Sequence, residues 1–337
     1  ARGRSMSAKT IIIVPTLNEA RHIAPLLDHL LLEAEGLDAR IIVADGGSTD
    51  GTRDIVAQRA EAEPRVVLLD NPQRIQSAAI NVAVTQYGAG IDYLIRIDAH
   101  GEYPLDYCRQ LFAEAEERQV GSIVVPMTTV GHAAFQRAVA TAQNSAIGTG
   151  GSAHRTGKSS GPVDHGHHAL MRVDAFQEVG GYDQGFRFNE DAELDHRLRQ
   201  SGRTIWLTSR TGMTYYPRST ASGLFRQYFG YGGGRARNIF KHRMRPRLRQ
   251  MAPLAILPVV LLAALSIWHW GFLVPLALWG VGCVALGIHA ARKHYPEYGI
   301  PMLLSPLVGV AAMIMHFAWS SGFWAHVVQR AFRRGMV

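Results

Sequence analysis

The first third of the chain alternates short runs of β-branched residues with amphipathic helical patterns. Four runs predict buried strands, at residues 10–14 (TIIIV), 41–44 (IIVA), 66–69 (VVLL) and 93–97 (YLIRI). Apolar residues at helical spacing after the first run predict a helix with one face on the sheet, namely Ile23, Leu26, Leu27, Leu30 and Leu31. This alternation is typical of an α/β domain with a mostly parallel sheet.

Polar residues cluster where the predicted strands end, at residues 15–19, 45–50, 71–74 and 98–100. Ligands of such sheets bind beyond the carboxyl ends of the strands. A second polar stretch, about residues 128–222, contains one predicted helix from Asp191 to Gln200, followed by Gly202. We interpret this stretch as the acceptor-facing part of the same domain.

The last third of the chain is apolar. Residues 251–291 and 300–328 carry no charged side chain, and a membrane span needs about 20 apolar residues. The first segment can hold a two-helix hairpin that breaks near residues 268–271, and the second can hold one more helix. Three crossings would place Arg330, Arg333 and Arg334 outside, against the positive-inside tendency. Re-entrant or interfacial helices, and a buried helical domain, are the alternatives.

The net charge of +8 is concentrated before this apolar region, because residues 235–249 contain seven Lys or Arg. Basic residues at this position are typical of a cytoplasmic flank that meets anionic headgroups, which disfavours a nucleic-acid partner. The predicted organisation is a catalytic domain at 8–234, a basic interfacial helix or linker at 235–250, membrane-associated helices at 251–329 and a basic tail at 330–337. The two cysteines, Cys108 and Cys283, do not indicate a disulfide framework.

Three acidic motifs are candidates for chemistry. Asp45 ends a strand and is followed by GGSTD, a turn where glycine permits close approach and where Ser48 and Asp50 can equally be plain turn and cap residues. Asp98 and His100 also follow a strand and can hold a divalent cation that bridges phosphates; the histidine favours Mn²⁺ over Mg²⁺.

The third motif, Glu190 and Asp191, opens a predicted helix. The helix dipole favours the ionised form of a carboxyl group there, which suits a general base. Acidic residues also occupy helix starts for structural reasons alone.

These three motifs in this order, with the opening PTLNE, resemble the family 2 glycosyltransferases of the GT-A fold, which is Rossmann-like. The resemblance covers about residues 10–237. It implies that the uridine of a UDP-sugar donor contacts Pro15, Thr16, Asn18, Glu19 and Asp45, with Arg74 as a further donor contact. It also implies that Asp98 and His100 bind metal (Mn or Mg) and diphosphate, and that Asp191 is the catalytic base for inversion.

A narrower resemblance, to a membrane-bound glucosyltransferase of bacterial succinoglycan synthesis, rests on residues 96–104, 148–164, 180–202 and 226–237. It implies glucose from UDP-glucose, transferred in β-1,3 linkage to galactose on an undecaprenyl diphosphate carrier. Such an enzyme works at the inner (cytoplasmic) membrane with its catalytic domain facing the cytoplasm. Candidate contacts to acceptor or diphosphate are Glu190, His154, Arg155, Gln227, Arg235 and Arg237.

The chain departs from the wider family in two places. The QxxRW motif of processive members is absent after Gln227, which disfavours polymerisation, and glycines at 230 and 232–234 suggest a mobile segment instead. His165, His167 and His168 crowd together without a zinc-type partner set, so we expect exposed or acceptor-binding histidines.

Other classes of protein remain as alternatives. A nucleotidyltransferase would show a glycine-rich loop with Arg and Lys after the first strand, and PTLNE is not that loop. Two further alternatives are a membrane glycosyltransferase with another donor or acceptor and a non-catalytic membrane scaffold. A dinucleotide enzyme and a P-loop protein are disfavoured because the first strand is followed by neither motif.

Overall fold

The computed structural model describes residues 9–150, 159–246, 252–293 and 300–335. The chain divides into two compact units, the first formed by residues 1–127 and 157–214 and the second by residues 128–156 and 215–337.

The strands of the described residues follow the predicted pattern at the start of the chain. They are β1 (Thr10–Thr16), β2 (Arg40–Asp45), β3 (Val66–Asp70), β4 (Tyr93–Arg96), β5 (Ser122–Val125), β6 (Met127–Thr129), β7 (Gly161–Pro162), β8 (His167–Arg172), β9 (Ile205–Leu207) and β10 (Met213–Tyr215).

The helices alternate with the first four strands and then dominate the end of the chain. They are α1 (Ile23–Leu37), α2 (Thr52–Ala62), α3 (Gln76–Tyr87), α4 (Tyr107–Arg118), α5 (Ala134–Gln143), α6 (Ala146–Thr149), α7 (Val173–Glu178), α8 (Glu190–Gln200), α9 (Ala221–His242), α10 (Ile256–Ala263), α11 (Val274–Lys293) and α12 (Pro306–Gly335).

The first unit is built on an eight-stranded sheet with the order β3-β2-β1-β4-β8-β5-β9-β7. Strands β1 to β4 are parallel, which confirms the predicted α/β class, whereas β8 runs antiparallel between β4 and β5. Side chains of a strand alternate between faces, so Ile12 and Val14 enter one buried cluster and Ile11 and Ile13 enter another. Both faces of the sheet are therefore covered.

The antiparallel strand β8 decides where the site forms. Its register pairs Tyr93 with Arg172 and Ile95 with Leu170. Continuing this register brings the first residues of β8, His167 and His168, beside the carboxyl end of β4. A sheet of parallel strands alone would have placed the opposite end of β8 there.

In the second unit, α9 and α12 pack along each other over several turns. Phe225 near the start of α9 contacts Phe317 of α12, and Phe240 near the end of α9 contacts His326, which is further along α12. The two helices therefore run in the same direction. A Cβ atom added to Gly232 would collide with the Trp319 carbonyl. Gly232 therefore lets the backbones of α9 and α12 approach closely. The segment that was expected to be mobile is instead part of a packed helix.

Helix α9 also differs from the predicted domain organisation. It is continuous from Ala221 to His242, so the predicted boundary between residues 234 and 235 falls inside one helix. Residues 128–156 and 215–234, which we expected in the catalytic domain, cluster with the C-terminal helices. The reason is that the apolar face of α9 is buried against α12.

Two helical segments of the described residues are long and apolar enough to cross a membrane, Trp270–Lys293 and Met302–Arg333. The preceding segment, Ala252–Ile267, is shorter. The predicted break at residues 268–271 begins directly after the 3₁₀ turn Ala264–Ile267 and overlaps the start of a second one, Trp270–Leu273. The helices in the core of a soluble protein can have the same length and composition. The most apolar part of the first segment is 11% buried, and that of the second segment is 39% buried.

Candidate active site

The loops that follow β1 and β2 are joined by hydrogen bonds. The backbone N–H of Asn18 donates to Ser48 Oγ (2.8 Å), and Asn18 Oδ1 accepts from the backbone N–H of Thr49 (2.9 Å). Asn18 adopts a φ of 57°, which asparagine tolerates better than most residues. The β1 loop therefore lies against the Asp45 turn. This loop carries Asn18 and Glu19 of the residues predicted to contact the donor, and Pro15 and Thr16 form the end of β1.

Asp45 is buried and is held by its own turn. Its carboxylate accepts from the backbone N–H groups of Gly47 (2.8 Å) and Ser48 (3.0 Å), from the Ser48 hydroxyl, and from Arg53 Nη1 (2.9 Å). Burial alone would raise the pKa of Asp45, but the hydrogen bonds from Ser48 and Arg53 outweigh it and lower the pKa. Asp45 is thus an ionised carboxylate in a fixed orientation.

Arg74 lies over the same turn. A Cβ atom added to Gly46 would stand 3.3 Å from the Arg74 Cα atom, and one added to Gly47 would stand 3.3 Å from its guanidinium. Larger residues at either glycine would push Arg74 away. The structure therefore places Arg74 against the Gly46–Gly47 turn that directly follows Asp45.

Asp98 lies just beyond the end of β4. Its Oδ1 atom accepts from Gln76 Nε2 (2.5 Å) and Arg96 Nε (3.2 Å), and its Oδ2 atom is 3.6 Å from His167 Nε2. Burial opposes ionisation, but the charge of Arg96 dominates and lowers the pKa of Asp98. Asp98 is therefore available as an anionic ligand.

His100 contacts a residue from the β1 loop. Its Nδ1 atom is 3.0 Å from Glu19 Oε1, and the other Glu19 oxygen is 2.8 Å from His22 Nδ1. The His100 side chain is half exposed, at 55%. The two residues were predicted for different parts of the donor, Glu19 for uridine and His100 for the metal, and the structure joins them.

Arg96 connects the Asp98 motif to the start of α8. Its Nη1 atom donates to Asp191 Oδ1 (2.7 Å), while its Nε atom faces Asp98, and the guanidinium is buried. Burial would raise the pKa of Asp191, but the charges of Arg96 and His168 outweigh it, so its pKa is lowered. Asp191 is thus held in the ionised form that a base needs.

Glu190, the neighbour of Asp191, is in the opposite state. Burial, followed by repulsion from the Asp191 carboxylate, raises the pKa of Glu190 to about 7. The pair is therefore split into one ionised carboxylate and one group that titrates near neutral pH.

Three further side chains lie behind Asp191. The Tyr182 hydroxyl donates to Asp191 Oδ1 (3.0 Å) and is 2.6 Å from His168 Nδ1. His168 Nε2 is 2.7 Å from Asp195 Oδ1, and His168 and Asp195 are fully buried. Burial lowers the pKa of His168, but the carboxylates of Asp195 and Asp191 outweigh it and raise the pKa.

The exposed interpretation of the histidine cluster is therefore wrong for His168. His167 is also mostly buried, with 10% of its side chain exposed, and burial lowers its pKa to about 4. Antiparallel β8 carries both residues into the sheet, which the one-dimensional pattern could not show.

The possible metal ligands near Asp98 fit a divalent cation whose coordination shell is completed by a substrate. The described residues contain no group of three or more His, Cys, Asp or Glu side chains able to hold a metal by themselves. Magnesium-type sites commonly take one or two protein carboxylates and complete their shell with substrate phosphates and water. Ionised Asp98, with His100 and Glu19 close by, meets that requirement.

The remaining predicted contacts lie elsewhere. His154 and Arg155 fall outside the described residues. Gln227, Arg235 and Arg237 lie on α9 in the second unit, where Gln227 Nε2 donates to the hydroxyls of Tyr215 (2.9 Å) and Tyr231 (3.0 Å). Their roles stay predictions.

Sequence reasoning missed four residues that organise the site, namely Gln76, Arg96, Tyr182 and Asp195, and it assigned His168 to an exposed or acceptor-binding cluster. Two signals were present. Arg96 is the one charge in the apolar run YLIRI, and Asp195 follows Asp191 by four residues, which places both on one helix face. A buried charge in a strand requires a partner, so Arg96 could have been connected to an acidic motif.

A mostly parallel sheet, ionised carboxylates at its strand ends and a further carboxylate from a helix start fit a glycosyltransferase of the GT-A fold. Residues 11–180 match the model of glycosyl transferase family 2, and the chain belongs to this family. The nucleotidyltransferase and scaffold alternatives are therefore set aside.

Relatives support this assignment. The chain is 53% identical over 328 residues to the succinoglycan biosynthesis protein ExoA of Rhizobium meliloti (strain 1021), covering 97% of both chains. A shorter match, 29% identical over 109 residues, relates 30% of the chain to 32% of the dolichyl-phosphate beta-glucosyltransferase ALG5C of Trichomonas vaginalis (strain ATCC PRA-98 / G3).

Among solved structures, the mannosyltransferase PcManGT from Pyrobaculum calidifontis, in complex with GDP-Man and Mn²⁺, is similar to the chain. The TM-score is 0.52 at 18% sequence identity, over 90% of this chain and 85% of that one. This likeness shows the fold.

Proposed function

We propose that the chain is an inverting, non-processive glycosyltransferase that moves a sugar from a UDP-sugar to a saccharide on a polyprenyl diphosphate lipid. The pathway is bacterial exopolysaccharide synthesis of the succinoglycan type, which is supported by the 53% identity to a succinoglycan biosynthesis protein. The proposed donor is UDP-glucose and the proposed bond is β-1,3 to galactose, both from the resemblance stated above.

The bridge formed by Arg96 carries the proposal. It joins Asp98 (3.2 Å) to Asp191 (2.7 Å), which are 93 positions apart in the sequence. A base must lie near the anomeric carbon, and that carbon lies next to the diphosphate of the donor. The buried Arg96 guanidinium contacts both carboxylates and so sets a short separation between the proposed base and the proposed diphosphate site.

In the proposed reaction, Asp191 accepts the proton of the acceptor hydroxyl, and the hydroxyl oxygen forms a bond to the anomeric carbon. The bond from that carbon to the diphosphate breaks with inversion, and UDP leaves with the electron pair. Arg96 keeps Asp191 ionised at neutral pH. Asp98 and His100 would hold the divalent cation, which neutralises charge on the leaving diphosphate.

The donor's uridine is proposed to lie along the loops of β1 and β2. Asp45 presents a fixed ionised carboxylate there, and Arg74 covers the same turn. Contacts from Pro15, Thr16, Asn18 and Glu19 complete this part of the proposal.

A membrane-bound acceptor would explain the composition of the second unit. It holds two segments able to span a bilayer, and α9 ends in a basic stretch. We propose attachment to the bacterial inner membrane with the first unit in the cytoplasm, where nucleotide sugars would be supplied.

The test is a transfer assay on the purified full-length chain with Mn²⁺, a panel of UDP-sugars and galactosyl polyprenyl diphosphate, followed by linkage analysis. Asp191→Asn should retain UDP binding and lose transfer by roughly 10²- to 10⁴-fold, as expected when a positioned base is removed. The matched control is Asp38→Asn, because Asp38 is exposed and precedes β2 at the amino end of that strand.

Near-normal transfer by Asp191→Asn would contradict the base assignment. Absence of UDP release with every UDP-sugar, in the wild type and the control alike, would contradict the proposed donor.

A further inference from the structure

Two carboxylates on one face of α8 are connected through a buried histidine. Asp191 and Asp195 are four positions apart, so they point the same way along the helix. His168 of β8 lies between them, 2.7 Å from Asp195 and 3.5 Å from Asp191. We call Asp195, His168 and Tyr182 the relay.

The hydrogen-bond directions in the relay follow from the chemistry of its members. Ionised Asp191 can only accept, so Tyr182 must give its single hydroxyl proton to Asp191 Oδ1. The Tyr182 oxygen then accepts, from Arg96 Nη1 (3.3 Å) and from His168 Nδ1 (2.6 Å), and the shorter of these contacts requires a proton on His168 Nδ1. His168 Nε2 faces Asp195, whose other oxygen accepts from the Gly166 backbone.

The relay acts on one oxygen of Asp191. In the part of the chain that the structure describes, the contacts from Tyr182, Arg96 and His168 all reach Oδ1. The carboxylate plane is thereby fixed, and Oδ2 is the oxygen that remains for an acceptor hydroxyl.

Stability alone is a weak reason for the buried pair. His168 and Asp195 are both 0% exposed, and the desolvation cost of a buried ion pair is often as large as the attraction it gains. A buried pair can instead serve to enforce a specific arrangement of its neighbours. Here the arrangement enforced is the donor direction of Tyr182.

We propose that His168 and Asp195 are positioning residues for sugar transfer: Asp195 orients the His168 ring, whose Nδ1 proton makes Tyr182 donate to Asp191 Oδ1. This proposal rests on the proposed role of Asp191 as the base. It assigns no contact with the substrate to either residue.

Two substitutions of His168 separate positioning from plain packing. The Asn amide can replace Nδ1, so His168→Asn keeps the donor to Tyr182 and abandons Asp195. The longer Gln amide can replace Nε2, so His168→Gln keeps the contact with Asp195 and abandons Tyr182. If His168 and Asp195 served stability alone, His168→Asn would be the more damaging of the two variants, because it leaves the buried Asp195 carboxyl group without its partner.

Positioning predicts the reverse order. His168→Asn, which keeps the donor to Tyr182 but loses its orientation by Asp195, should lose about 3- to 10-fold in kcat, whereas His168→Gln should lose about 30- to 100-fold; the KM for the UDP-sugar should be unchanged in both, because a misplaced base lowers only the chemical step. Tyr182→Phe, which retains the packed ring, should match His168→Gln. Equal kcat values for His168→Asn and His168→Gln, or the opposite order, would overturn the proposal.

A second measurement does not depend on transfer or on the variants folding. In the wild-type chain with ¹⁵N-labelled histidine, the His168 Nδ1 signal should be that of a protonated nitrogen; an unprotonated Nδ1 would overturn the relay. A protonated Nδ1 in a wild-type chain that transfers no sugar would instead count against the proposed function alone.

Discussion

Asp45 and Asp191 are both carboxylates with a lowered pKa, yet the protein ionises them in different ways. Asp45 is fully buried, whereas 20% of the Asp191 side chain is exposed. Asp45 is held by donors within eight positions of it, mostly from its own turn. Asp191 depends on Arg96, which is 95 positions away, and on the relay. A local turn can thus fix a carboxylate such as Asp45, whereas the proposed base depends on tertiary contacts among β4, β8 and α8.

The strongest test of this comparison removes the arginine partner of each carboxylate, Arg96 for Asp191 and Arg53 for Asp45. Arg96→Met should destabilise the first unit by about 3 to 5 kcal/mol, because it leaves two mostly buried carboxylates, Asp98 and Asp191, without their cation. Arg53→Met should cost no more than about 1 kcal/mol, since Arg53 is 38% exposed and Asp45 keeps its backbone donors.

The measurement is thermal unfolding of the two variants and the wild type, with UDP binding as a check of the donor side. Comparable losses in both variants would show that the Asp45 turn is no more self-sufficient than the Asp191 network.

A pH titration sharpens the same contrast, because the Asp191 side contains a group that titrates near neutrality. The pKa of Glu190 is raised from 4.5 to about 7 by burial and by Asp191. Its protonated form is favoured in the fold, so its contribution to stability is full below pH 4.5 and is lost as the pH rises through about 7.

Glu190→Gln fixes the neutral state and should remove this dependence. Its stability should equal that of the wild type near pH 4.5 and exceed it by roughly 1 to 2 kcal/mol at pH 8, below the full shift because some solvent reaches Glu190. Melting curves across this range provide the check, and parallel curves for the two proteins would contradict the raised pKa.

Local patterns in the sequence predicted what depends on local interactions. The four strands and the start of α8 follow from hydrophobic alternation and from turn and dipole chemistry, and the observed bounds differ by one or two residues. The position of Asp45 at a strand end follows in the same way.

Contacts between distant segments could not be predicted in this way. His168 reaches Asp191 only because β8 runs antiparallel between β4 and β5, and no periodicity encodes that order. The glycines of α9 indicated flexibility, but Gly232 serves close packing against Trp319 of α12. A glycine has the same letter in both roles, and only its neighbours distinguish them.

The smallest expected effect is at the Asp45 turn. Ser48 Oγ donates to Asp45 Oδ1 and accepts from the Asn18 backbone, so it connects the two proposed donor loops. Ser48→Ala removes both bonds while Asp45 keeps its other donors, and one net hydrogen bond is worth about 1 kcal/mol. UDP affinity should fall about 5-fold with kcat unchanged, whereas Thr49→Ala, at an exposed side chain, should change neither. If Ser48→Ala instead lowered kcat at constant UDP affinity, the turn would act on the base, and the two carboxylate environments would form one coupled site rather than two.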